Sequence, residues 1–122
     1  MSKFLYIFLI FFNIFSNLWA EDFISKSEYA RMLYQNPRGI GCDKCHGENG
    51  EGKTIANYKA MDKKANKMSK YTLSAPQINN LDLENFKKGI KDSKGMMPSY
   101  FLTDSEINTL FEYLQSLNKE QK

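Results

Sequence analysis

Apolar and polar positions divide the chain into an apolar leader, three helical stretches and two loop regions. Ser25 followed by Glu28 fits a capping box, with Ile24 and Tyr29 placed as its hydrophobic staple. The helix it opens carries Tyr29, Met32 and Leu33 on one face, and Pro37 ends it. Asp82 is placed to cap a second helix, whose Leu83, Phe86 and Ile90 fall on one side. Lys87, Lys88 and Lys91 lie towards its end, where they suit the helix dipole. Thr103 and Glu106 form another capping box, with Leu102 and Ile107 as staple. Ile107, Leu110, Phe111, Leu114 and Leu117 then follow at helical spacing.

The stretches between these helices read differently. Gly39 to Gly52 is too glycine-rich for anything but loop or short turn, and Gly95 with Pro98 enforces a second loop. Residues 55–70 carry Lys59, Lys63, Lys64, Lys67 and Lys70 among few large apolar groups, which predicts a solvated segment between coil and partial helix. No run alternates convincingly with period two, and the chain has no Val. The expected fold class is therefore all-α.

Residues 1–20 form a segment of their own. They hold five of the nine Phe and the only Trp, and Lys3 is their only charge. A basic start, the apolar run Phe4 to Phe15, and Ala20 before Glu21-Asp22 make the layout of a secretory signal peptide. The rival reading of this run is an uncleaved anchor, although it is shorter than the roughly 20 residues a spanning helix needs. Either way residues 21–122 are expected to fold as one domain outside the cytoplasm.

Composition sharpens the picture for that domain. It holds 16 basic and 14 acidic groups, a formal +2, too balanced for a dedicated nucleic-acid binder. Leu, Ile and Phe together number only 18. That is thin for a core at a size where burial is already marginal, so another apolar body is expected to complete it.

Both Cys and the only His lie in five residues, Cys42-Asp43-Lys44-Cys45-His46. This C-x-x-C-H pattern is the attachment signature of c-type haem. Two thiols at this spacing can form thioethers with the two vinyl groups of one porphyrin, and the adjacent imidazole can reach the iron. The competing readings are a plain disulfide, a thioredoxin-like dithiol and a structural zinc site. The disulfide leaves His46 idle, the dithiol lacks its strand–helix context, and zinc would want four ligands where three are offered. The apolar macrocycle also supplies the missing core material.

With these residues in view, the chain resembles the small monohaem c-type cytochromes of class I. The likeness runs from about Tyr29 to Leu117. It rests on Cys42 to Gly47 continuing through Gly50 and Gly52, then on Gly95-Met96-Met97-Pro98, Leu102 to Ile107 and the closing helix. The resemblance implies a cytochrome c-like fold of three to four helices around one covalent haem c. It makes Cys42 and Cys45 the attachment points, His46 the proximal iron ligand and Met97, immediately before Pro98, the distal one, with Met96 as its rival. In that family a Pro carbonyl often accepts the other ring N–H of the ligating His soon after the motif. Here no Pro lies between His46 and Pro76, so that role is assigned to Pro76, delayed by the Lys-rich stretch; a plain turn is the alternative. Tyr71, Phe86, Tyr100 and Phe101 are candidates to line the haem pocket, Tyr100 and Phe101 because they follow Met97.

The function this implies is a monomeric periplasmic one-electron carrier, not an enzyme, between a respiratory donor and a terminal oxidase or reductase. Neither redox partner is identified, and membrane contact is expected only through partners or an uncleaved leader. Lys44, Lys87, Lys88, Lys91 and Lys94 are candidates to steer an acidic partner, against the simpler reading of a solvated face. The alternatives are a haem-based gas binder or peroxidase-like protein, a cytochrome subunit of a larger enzyme, and a haem-free thiol or zinc protein.

Overall fold

A computed structural model describes residues 23–120, so the expected leader at 1–20 lies outside the described residues. The element order is α1 (Lys26–Gln35), α2 (Cys42–His46), β1 (Lys53–Asp62), β2 (Lys67–Ala75), α3 (Leu83–Lys91) and α4 (Asp104–Glu120). No helix among the described residues is long and apolar enough to cross a membrane.

The helix starts are set by local side chains. Ser25 Oγ accepts from the Glu28 N–H at 3.1 Å, and Asp82 Oδ1 accepts from the Asn85 N–H at 2.9 Å. At the head of α4 the box is reciprocal. Thr103 Oγ1 accepts from the Glu106 N–H at 3.2 Å, and Glu106 Oε2 accepts from the Thr103 N–H at 2.8 Å. α1 stops at Gln35, just before Asn36-Pro37.

The core is where α1, α3 and α4 meet. Leu33, Tyr34, Phe86, Ile90, Ile107, Leu110 and Leu114 form its buried cluster. The inward face of α1 is Ala30, Leu33 and Tyr34, while Tyr29 and Met32 of the expected face stand largely exposed. The burial of the small Ala30 and the amphipathic Tyr34 turns the stripe by one position. Tyr34 pays no polar penalty there, because its hydroxyl donates to the Gly47 carbonyl at 2.8 Å.

The all-α expectation is overturned by the segment after the glycine loop. β1 and β2, ten and nine residues long, pair antiparallel in a two-stranded sheet. Their register runs from Lys53 opposite Ala75 to Asp62 opposite Lys67. Two features hid these strands. Most side chains on both faces are exposed, so there is no buried face to print an apolar alternation. The register also slips between Thr54 and Ala56, which breaks the period at Ile55. At the turn, Asp62 Oδ1 accepts from the N–H groups of Lys64 and Ala65 at 2.9 and 3.1 Å. Asn66 closes it at φ +47°, a conformation Asn tolerates well. The Lys-rich segment is thus a hairpin, with no helical part.

The hairpin is a closed excursion. It leaves the body at Lys53 and returns opposite it at Ala75. The flanking chain is joined directly, Ile78 N–H donating to the Gly50 carbonyl at 2.8 Å. A Cβ on Gly52 would lie 2.8 Å from Gln77 N, so only glycine allows this close approach.

Candidate haem site

Cys42, Cys45 and His46 belong to one short helix, α2, entered through Gly41. A Cβ on Gly41 would fall 2.2 Å from Asp43 Oδ1 and 2.4 Å from the Gln35 carbonyl oxygen, so the tight entry from α1 demands glycine. The two cysteines are free thiols, half-buried, with no disulfide between them. Burial pushes the Cys42 thiol up to about 11, so it is held neutral.

His46 is buried, and its Nδ1 lies 2.8 Å from the Pro76 carbonyl oxygen. A carbonyl only accepts, so Nδ1 carries the proton and Nε2 is left as the basic nitrogen. An imidazole held this way is fixed in the tautomer that leaves Nε2 able to bind a metal. Pro76 is placed for this by the hairpin base and by Asn79. Asn79 is 1% exposed; its Nδ2 donates to the Asn49 carbonyl at 2.8 Å, and its own N–H donates to Gly50 at 3.2 Å. Gln115 of α4 donates to the Leu81 carbonyl at 3.1 Å and the Asn79 carbonyl at 3.3 Å, tying this loop to the last helix. Neither Asn79 nor Gln115 stood out in the sequence, because both act through backbone carbonyls that no motif names.

The loop after α3 supplies the other candidates. Met97 is partly buried and packs on the core cluster, whereas Met96 is 75% exposed. Tyr100 also packs on the cluster, and its hydroxyl donates to the Ile40 carbonyl at 2.7 Å. It thereby links the Met97-Pro98 loop to the chain entering α2. Burial first, then the neighbouring Cys42 and Cys45, raises the Tyr100 phenol above its usual range. Phe101 is not brought into this group: it is 93% exposed, and only its carbonyl is engaged, by Arg38. Of the other aromatics considered, Phe86 is core, stacked at a tilt on Phe111 with ring centroids 5.8 Å apart, and Tyr71 lies on the hairpin.

Arg38 is a further clamp. Its guanidinium makes two parallel bonds to Glu106, at 2.8 and 3.0 Å, and a third to the Phe101 carbonyl at 2.8 Å. This joins the loop before α2 to the head of α4. The Arg38 pair, with the Thr103 N–H second, holds the Glu106 carboxyl down at about 2.

The donor set suits a c-type haem on its own chemistry. Two free thiols sit three positions apart on one turn, beside an imidazole whose Nδ1 is already spent. Partly buried apolar groups, among them Ile78, Met97, Tyr100 and Leu102, flank the core cluster. The family model for cytochrome c matches residues 27–118. No curated protein and no solved structure gives a significant match. The cofactor of that family is covalently attached haem c, which the Cys42-x-x-Cys45-His46 spacing fits. The chain belongs to the cytochrome c family, as a class I c-type cytochrome.

Proposed function

We propose that this protein is an exported, periplasmic one-electron carrier with one haem c held by His46 and Met97. The observation that supports the reading is the 2.8 Å bond from His46 Nδ1 to the Pro76 carbonyl, which leaves Nε2 as the nitrogen that would bind the iron. When bound, the haem supplies a one-electron couple between ferric and ferrous iron. Cys42 and Cys45 retain it through thioethers. Pro76 fixes the imidazole and raises its basicity. Met97 is favoured over Met96 because it is the one packed against the core. A thioether is a soft, neutral ligand that favours the ferrous state and raises the potential. Tyr100 and the Arg38–Glu106 clamp hold the two ligand-bearing loops together, which keeps reorganisation on electron transfer small. The leader at 1–20 supports export, and a respiratory donor and acceptor are the partners this role needs.

The test is an absorbance spectrum of the matured protein, oxidised and reduced, followed by carbon monoxide. A low-spin reduced spectrum that ignores the gas is the expected result. A spectrum shifted by the gas would mean a labile sixth position and would replace the carrier by a gas-binding or peroxidase-like role.

A further inference from the structure

Residues 53–75 hold six lysines, Lys53, Lys59, Lys63, Lys64, Lys67 and Lys70, against a single acidic residue, Asp62. The hairpin therefore carries +5, while the whole chain carries +3, so everything outside it sums to −2. The Asp62 carboxylate is committed to the turn by the Lys64 and Ala65 N–H groups. None of the six ammonium groups enters an ion pair with the described residues. By contrast Lys44 and Lys91, two lysines near the haem-binding segments in sequence, are paired with Asp43 and Asp104.

The pattern within the hairpin is unfavourable for its own stability. Lys59 stands directly opposite Lys70 in the register, a like-charge pair that costs a hairpin free energy. Met61 and Met68 face each other two positions nearer the turn, both more than half exposed. Tyr58 and Tyr71 stack on the opposite face, with ring centroids 5.7 Å apart.

Three simpler roles fit this pattern poorly. Lysines on an open sheet edge discourage edge-to-edge pairing, but Lys63 and Lys64 lie in the turn between the strands and guard no edge. A second copy would bring +5 against +5. A membrane-lying element gathers its apolar groups on one face and its charge on the other. Here the Met pair and the Tyr pair lie on opposite faces, with Lys59 and Lys70 on the Met face and Lys67 on the Tyr face.

We propose that the hairpin Lys53–Ala75 is a docking arm for an acidic surface on a partner protein, a statement that rests on the carrier reading above. The lysines steer the encounter and set its orientation. The Met61–Met68 pair adds a soft contact that adapts to the partner's shape. Because the arm is rooted between the haem-attachment loop and Pro76, docking there fixes the body of the cytochrome relative to the partner.

The test uses the holoprotein with poly-L-glutamate as an acidic probe at low ionic strength. Replacing Lys59, Lys63, Lys64, Lys67 and Lys70 by Gln is expected to weaken binding about tenfold or more. Replacing Lys87, Lys88 and Lys94 by Gln is expected to change it less than about twofold, and added salt should weaken the wild-type complex. Amide shifts in the reduced protein on binding should cluster in residues 53–75. Equal losses from the two sets of substitutions would overturn the proposal. So would tighter binding to phosphatidylglycerol vesicles than to poly-L-glutamate, which would make the arm a membrane contact. The haem spectrum and its response to carbon monoxide, recorded on the same variants, judge the carrier reading separately from the docking result.

Discussion

Pro76 places its carbonyl oxygen 2.8 Å from Nδ1 of His46, thirty residues away, and the chain between them leaves and returns through paired strand ends. The bond does not depend on the length of that excursion. It depends on the return point, which is fixed by the pairing of Lys53 with Ala75 and by the Ile78 N–H on the Gly50 carbonyl. Replacing residues 55–73 with Asn-Gly, so that Thr54 and Ser74 close a two-residue turn, should therefore preserve the haem spectrum. Loss of haem attachment in that variant would show that the hairpin itself is required to position Pro76.

The two adjacent methionines separate cleanly by burial. Met97→Ala should convert the reduced protein to one that binds carbon monoxide and should lower its potential. Met96→Ala, at a site 75% exposed, should leave both properties as in the wild type. Titrating both variants with the gas, alongside a potential measurement, checks the assignment; a response from Met96→Ala instead would move the ligand by one residue.

Glu106 gives a stability effect with a defined pH window. Its carboxyl is held at about 2, against an ordinary 4.5, first by Arg38 and then by the Thr103 N–H. A lowered carboxyl stabilises the folded chain fully above its unfolded value and ceases to do so as pH falls towards the folded one. The contribution is thus present above about pH 4.5 and lost towards pH 2. Arg38→Ala should destabilise the chain modestly at neutral pH, since the guanidinium is exposed and screened by solvent, and should flatten the stability change in that acid window. Urea unfolding of both proteins from pH 7 down to pH 3 would expose an error in this reading if the two curves stayed parallel.

Two glycines in the haem-attachment segment should resist change for different reasons. Gly50 sits at φ +73°, and a Cβ there would lie 3.0 Å from Leu114 Cδ2 and 3.1 Å from Ile78 Cγ1. Gly50→Ala should destabilise by more than about 1 kcal/mol through both backbone and packing. Gly41 has an ordinary backbone, but its Cβ would collide with the Gln35 carbonyl, so Gly41→Ala should displace α2 from α1. Thermal unfolding should register both, and the yield of covalent haem should fall more for Gly41→Ala. Equal yields would place the tight approach outside the attachment step.

Buried hydrogen bonds offer a milder probe. Tyr34→Phe removes the hydroxyl that donates to the Gly47 carbonyl at 2.8 Å and leaves that acceptor without its partner. A loss of roughly 1 kcal/mol is expected, or about 4–8 °C in a domain of this size. An unchanged melting temperature would mean that water replaces the phenol at Gly47.

The sequence alone determined the attachment chemistry, because Cys42, Cys45 and His46 are neighbours in the chain and their spacing is itself the signal. It also determined the helix starts at Ser25, Asp82 and Thr103, where a cap and its partner lie three residues apart, and the apolar stripe of α4. These are local relations, and local relations are written in the order of residues. The two strands leave no such mark because they bury almost nothing: a hairpin solvated on both faces has no alternation, and the slip at Ile55 breaks what remains. Only the tertiary structure decided that Arg38 meets Glu106, that Asn79 and Gln115 hold the loop around Pro76, and that Met97 turns to the core while Phe101 turns to solvent. Each of these depends on which distant segments are brought together by the burial of Leu33, Ile107 and Leu114, and the free energy of that burial depends on contact across the fold, not on position along the chain.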